Sequence, residues 1–169
     1  MDFGSNKISV IENLHPIQNS LTRLSLAKNK IKKITNLDCL VNLTFLTFQS
    51  NRLIKIEGLE TLVNLRELYL SQNFIDKIEG VENLKNLEIL DLAYNRIETL
   101  ENLENNKALC DLWINNNKIK NFCDLEHLKN LPLLSGIYLA KNPVADFPSY
   151  RQTLKLYCPK MTEIDGTHV

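Results

Sequence analysis

An asparagine returns at an almost fixed interval along the whole of this chain, and that periodicity leaves few folds open to it. Asn6, Asn29, Asn51, Asn73, Asn95, Asn117 and Asn142 form a ladder with steps of 23, 22, 22, 22, 22 and 25 residues, and each closes the same phrase, L-x-x-L-x-L-x-x-N-x-I. The first complete copy reads Leu21, Leu24, Leu26, Asn29, Ile31, and the third reads Leu65, Leu68, Leu70, Asn73, Ile75. A period of about 20 to 50 residues marks units that cannot bury a core alone and must stack on their neighbours.

The residue types follow from what each position must do. In L-x-L the side chains alternate, so the leucines point inward from a short strand and the residue between them faces out. After the strand the backbone turns sharply, and each buried amide or carbonyl there needs a partner. Asparagine carries two donors and an acceptor, so one residue can serve its own turn and the neighbouring coil. Apolar pairs such as Ile31 with Ile34, Ile75 with Ile78 and Ile119 with Phe122 line the floor of the coil. A repeat of 22 residues leaves little chain for the return path, which predicts 3₁₀ turns or very short helices, with Leu37, Leu40, Leu59 and Leu62 facing inward. The expected fold is therefore a right-handed α/β solenoid with a parallel concave sheet.

One domain spans 1–169, with about seven repeats in 1–144 and a different pattern in 145–169. There Pro148 can sit in the first turn of a helix and Pro159 stops one, which predicts a capping helix running through Tyr157. Ser149 and Tyr150 belong to that cap rather than to catalysis. At the other end, residues 1–6 already occupy a repeat strand with no polar cap ahead of them, so the N-terminal cap is expected to be missing and the chain to be part of a longer repeat protein.

Composition narrows the function. Lys+Arg and Asp+Glu number 20 each, so no bulk charge draws the chain to nucleic acid or an anionic membrane, and neither is expected as a partner. Cys39, Cys110, Cys123 and Cys158 lie too far apart for a zinc site or a disulfide framework, and no apolar run reaches the roughly 20 residues of a membrane helix. The cytoplasm and nucleus are the expected compartments. His15, His127 and His168 show neither ligand spacing nor a partnered nucleophile, so no metal, cofactor or enzymatic activity is expected. Asn42-Leu43-Thr44 matches a glycosylation sequon, but its leucine belongs to the repeat phrase. Lys30, Lys32, Lys33, Lys55, Lys77, Lys118 and Lys120 recur past the ladder asparagines and read as a solvated edge, because glutamates follow close behind and no aromatic platform accompanies them.

The strand positions that face outward are more informative. Between the strand leucines stand Asp2, Ser25, Thr47, Tyr69, Asp91, Trp113 and Tyr138; two residues earlier stand Arg23, Phe45, Glu67, Ile89, Asp111 and Gly136. Stacked about 4.8 Å apart, they form two columns on the concave sheet. Aromatics outside the core, interleaved with carboxylates, have the composition of a protein-binding hot spot, although neighbouring aromatics can also simply pack on one another.

The ladder, the Asn142-Pro143 step, Tyr150-Arg151 and Ile164-Asp165-Gly166-Thr167 resemble the leucine-rich-repeat regulatory subunit of type 1 protein phosphatase. Gln49-Ser50-Asn51-Arg52-Leu53, Lys55-Ile56-Glu57-Gly58-Leu59 and Asn64-Leu65-Arg66-Glu67-Leu68-Tyr69-Leu70-Ser71 carry that likeness further. The resemblance implies the C-terminal half to two thirds of such a subunit, a non-enzymatic scaffold that grips the phosphatase catalytic subunit on its concave face, with a further inhibitor protein as an optional third component. It implies contacts at Asp91, Trp113 and Tyr138, with Asp111, Tyr69, Glu67, Phe45 and Asp2 beside them. Asp2 and Asp111 stand where the family has glutamate, and Ser25 where it has phenylalanine. An adaptor for a dynein-type cytoskeletal or a ribonucleoprotein complex is the alternative within the same repeat class.

Overall fold

The computed structural model describes Met1–Val169. Six three-residue strands, β1 (Arg23–Ser25), β2 (Phe45–Thr47), β3 (Glu67–Tyr69), β4 (Ile89–Asp91), β5 (Asp111–Trp113) and β6 (Gly136–Tyr138), pair in parallel in chain order. Their register is the sequence period itself. Leu24, Leu46, Leu68, Leu90, Leu112 and Ile137 stand side by side across the sheet, each fully buried. Ahead of β1, residues 1–6 contribute a single bridge, Asp2 to Ser25, rather than a strand.

Behind the sheet the ladder works as a seam. Asn73 Nδ2 donates to the carbonyls of Leu70 and Ser71 in its own turn and of Phe48 one coil back, at 3.0, 3.2 and 3.0 Å. Its Oδ1 accepts from the Leu53 amide at 2.9 Å. Asn29, Asn51, Asn95 and Asn117 repeat this set of bonds, and Asn142 most of it. Asn6, in the first coil, bonds only within its own turn. A second seam lies before the strands: Asn42, Asn64 and Asn86 donate to the carbonyls of Asn19, Val41 and Val63. The sequon asparagine is thus a stitch between coils.

Each of the first five coils turns twice through left-handed backbone, and the sixth once. The first such column holds Asn13, Asn36, Gly58, Gly80 and Asn102, residue types that adopt positive φ at least cost. Asn36 and Asn102 use their amides on the Ile11 and Ile78 carbonyls, whereas at Gly80 a Cβ would stand 2.4 Å from the Ile56 carbonyl oxygen. The second column precedes each ladder asparagine and holds Ser5, Lys28, Ser50, Gln72, Tyr94, Asn116 and Lys141, with φ between 54 and 58°.

The return path is mostly turns, with Leu37, Leu40, Leu59 and Leu62 fully buried beneath it. The long last step of the ladder is taken up by a 3₁₀ helix, Phe122–Asn130, which leaves Phe122 only half-buried against Phe147. The cap helix α1 (Tyr150–Tyr157) closes the core with Tyr150 and Leu154. Beyond it the sheet continues, which the repeat phrase does not foretell: β7 (Glu163–Ile164) pairs parallel with β6, and β8 (Thr167–His168) folds back antiparallel. Asp165 and Gly166 make the turn, both at positive φ, as a two-residue hairpin requires. Asp165 also locks the cap to β6. One carboxylate oxygen accepts from the Leu139 and Ala140 amides and the other from the Tyr150 hydroxyl, so Tyr150 is a structural clamp. Cys158 is buried beneath α1, and desolvation pushes its thiol up to about 11. No helix is long and apolar enough to cross a membrane.

Candidate protein-binding face on the concave sheet

The register places Thr47, Tyr69, Asp91, Trp113 and Tyr138 in one column and Arg23, Phe45, Glu67, Ile89, Asp111 and Gly136 in the next. The hairpin extends the second column by one residue, because Glu163 stands opposite Gly136. Glu163 was not among the residues the repeat phrase singles out. The Asp-Gly pair two residues after it is the signal that marks it, since a hairpin turn there puts Ile164 inward and Glu163 outward.

The aromatic side chains form a continuous row. Ring centroids lie 5.4 Å apart for Phe45 and Tyr69, 6.0 Å for Tyr69 and Trp113, and 6.1 Å for Trp113 and Tyr138. Tyr69 and Trp113 sit on strands two apart, so their backbones are separated by about 9.6 Å, and the rings must lean toward each other to meet. The last two pairs meet edge to face, the arrangement in which ring quadrupoles attract. All four rings remain partly open to solvent.

Asp91 lies between the leaning rings and is only 6% exposed, which corrects the expectation of a surface carboxylate there. Its Oδ1 accepts from the Ala93 amide at 3.0 Å, closing the turn after β4. Desolvation raises its pKa above the ordinary carboxylate range; the Ala93 bond and the nearby Ser71 hydroxyl pull the other way. Asp2 and Thr47 make the same bond to the amides of Gly4 and Gln49. This column therefore tolerates an outward aromatic or a short acceptor that tidies its own turn. Asp2 stays exposed at the sheet edge, apart from the aromatic row, and its bond to Gly4 lowers its pKa.

Acids flank the row at both ends. Glu67 accepts from the Tyr69 hydroxyl at 3.1 Å and pairs with Arg23 at 3.4 Å, while the Arg23 guanidinium lies 4.0 Å from the Phe45 ring centre. Burial, with Glu67 beside it, pushes the Tyr69 phenol up to about 12. At the other end the Tyr138 hydroxyl donates to Glu163, which raises the tyrosine's pKa. Gly136 makes room here: a Cβ on it would stand 2.1 Å from Asp111 Oδ1, so the Asp111 carboxylate folds over the bare glycine toward Glu163. Desolvation and the Glu163 charge both raise the Asp111 pKa. A cation would relieve the Asp111 carboxylate beside Glu163, and the aromatic row next to them supplies the apolar area that a protein anchor uses.

Residues 41–83 and 63–105 match the model for leucine-rich repeats, two copies to a match. The rest of the stack repeats the same geometry. Residues 41–105 carry leucine-rich repeats, and the chain as a whole has the leucine-rich-repeat solenoid fold. It is similar to internalin F of Listeria monocytogenes, with a TM-score of 0.68 at 26% identity over 94% of this chain and 52% of the other. Internalin C2 of the same organism gives 0.73 at 24% identity, over 96% and 78%. The SNF/U2A′ complex of Drosophila melanogaster gives 0.64 at 27% identity, over 87% and 74%. The solenoid thus spans about half the length of internalin F. No curated protein matches it. Fold and repeat class rest on these likenesses; the aromatic row rests on this chain's own residues.

Proposed function

We propose that the solenoid is a non-enzymatic scaffold whose concave face grips the catalytic subunit of type 1 protein phosphatase and modulates its activity. The observation that carries a protein-binding role is the four-ring row from Phe45 to Tyr138 with carboxylates at both ends. Rigid aromatics on packed strands give contact area at little entropic cost, and Asp111 with Glu163 suits an arginine or lysine of the partner. The phosphatase itself comes from the sequence resemblance, with Trp113 and Tyr138 as direct contacts. Asp91 acts from beneath, by holding the turn under the Tyr69 and Trp113 rings.

The test is co-precipitation of purified catalytic subunit with the tagged chain, alongside an unrelated leucine-rich-repeat protein as control. Specific retention supports the reading, and retention no better than the control removes the phosphatase from it. The second reading, an adaptor in a ribonucleoprotein assembly, draws on the likeness to the SNF/U2A′ complex. A scaffold of that kind would leave the phosphatase unbound and be retained by a ribonucleoprotein particle.

A further inference from the structure

The cations that follow the ladder asparagines separate into two columns in the structure. Four residues past the ladder, Lys33 and Lys55 reach Glu57 and Glu79 of the next coil, both at 3.7 Å. One residue past it stand Lys7, Lys30, Arg52, Phe74, Arg96 and Lys118, all exposed, and none of these five cations takes part in an ion pair. Their backbone is as regular as the sheet. The amides of Lys30, Arg52, Phe74, Arg96 and Lys118 each donate to the preceding coil at 2.7 to 2.9 Å. Positions in this column therefore recur about every 4.8 Å and cover about 19 Å of rim from Lys30 to Lys118.

One aromatic interrupts the cations, and a second stands two residues before one of them, Arg96. Phe74 is 42% exposed and carries the Arg96 guanidinium 4.7 Å from its ring centre. Tyr94 is 51% exposed and occupies the left-handed position before Asn95, at φ 55°. A bulky residue is strained at positive φ, and the first left-handed column shows what the backbone alone would select, namely asparagine or glycine. Tyr94 fills no part of the core, so its ring serves the surface. Lys28 and Lys141 hold the same strained position near the two ends of the stripe. The acids closest in sequence, Asp76 and Glu98, point from another column and pair with none of these cations.

We infer that the rim from Lys30 to Lys118 binds single-stranded nucleic acid, its unpaired cations following the phosphates and Tyr94 and Phe74 taking the bases. An acidic peptide would use the charges and leave the rings idle, which is why the aromatics decide between the two polyanions. The length suits a site at the short end of the range of about 4 to 16 nucleotides seen for single-strand binders. This departs from the reading of the lysines as one solvated edge, which took the paired and unpaired columns together and left Phe74 out. It stands apart from the concave face, so either can fail alone.

The test is fluorescence anisotropy with labelled oligouridylate and oligothymidylate of about 12 nucleotides, titrated with the full chain at about 50 and 200 mM salt. Saturable binding of either oligonucleotide that weakens with salt is the expected result, and a preference for the ribonucleotide would place a contact on the 2′-hydroxyl. The double substitution Arg52→Ala/Lys118→Ala should weaken binding about tenfold and flatten the log–log salt slope by about 1.4, at roughly 0.7 per phosphate contact. Tyr94→Gln places there the residue that position 72 already has at the same backbone angle, so the fold is kept; binding should fall about tenfold with the slope unchanged. Lys33→Ala, whose lysine is already paired with Glu57, should change nothing. No binding at the lower salt, indifference to Tyr94→Gln, or a labelled oligoglutamate bound as tightly as the oligonucleotides would each overturn the assignment.

Discussion

The ladder asparagines and the concave column stand four residues apart in every coil, yet one hardly varies and the other hardly repeats. From Asn29 to Asn142 the same amide bonds recur, each to its own turn and to the coil before. Across the same coils the outward strand position reads Ser25, Thr47, Tyr69, Asp91, Trp113 and Tyr138. What stacking demands is identical in each coil, so it is periodic. What a partner demands is set by the partner's shape, so it is not. Asp91 and Thr47 blur the division, because each also closes its own turn.

The contrast breaks most visibly at the seam. Asn73→Ala removes the acceptor for the Leu53 amide and the donors to three carbonyls in mid-stack. Each buried group left unpaired costs about 1 to 3 kcal/mol, so thermal unfolding should show a melting temperature lower by roughly 5 °C or more. A melting temperature equal to the parent's would mean that the ladder is not what joins the coils.

Gly136→Ala is the complementary probe, aimed at the variable face. The added Cβ meets only the Asp111 carboxylate, a flexible side-chain end that can swing away. Stability should shift by about 0.5 kcal/mol or less. Partner affinity should fall about tenfold as the acidic pair with Glu163 is dispersed. Loss of folding, or affinity identical to the parent's, would sever Asp111 from the site.

A smaller effect reads out the burial of Asp91. Its pKa is raised in the fold, so the stability linked to it is fully present below the ordinary carboxylate pKa of 3.8 and is lost as pH rises through the folded value. Asp91→Asn keeps an acceptor for the Ala93 amide and carries no charge. The variant should melt higher than the parent at pH 7, and the gap should close as the pH is brought below 4. A gap that widens toward acid would mean that the carboxylate is stabilised by its neighbours rather than penalised by burial. Least of all should change with Lys77→Ala, a residue off the concave columns: partner affinity is expected to stay at the parent's.

The sequence made the strands, their register and the seam legible, because each depends on one residue type recurring at one spacing. It also marked Phe45, Glu67, Tyr69, Asp111, Trp113 and Tyr138 as neighbours, since strand alternation alone puts them on one surface. Three features lay beyond it. The fate of Asp91 depends on Tyr69 and Trp113 leaning across the strand between them, a side-chain choice that no spacing encodes. The β7–β8 hairpin has strands of two residues outside the repeat phrase, so only the Asp165-Gly166 turn announces it. The rim cations look uniform until their partners are known, and which of them finds a glutamate is decided by reach across coils.

The grip of the concave face is tested most directly by titrating purified type 1 phosphatase catalytic subunit against the parent chain and Trp113→Ala, with circular dichroism on both. The substitution removes two edge-to-face contacts, worth about 0.5 to 1.5 kcal/mol each, so the variant should remain folded but melt somewhat lower. Its affinity should drop by about thirtyfold or more, the loss of about 2 kcal/mol expected when a central aromatic anchor is truncated. A folded Trp113→Ala chain that binds as tightly as the parent would show that the aromatic row only packs on itself and that the partner is held elsewhere.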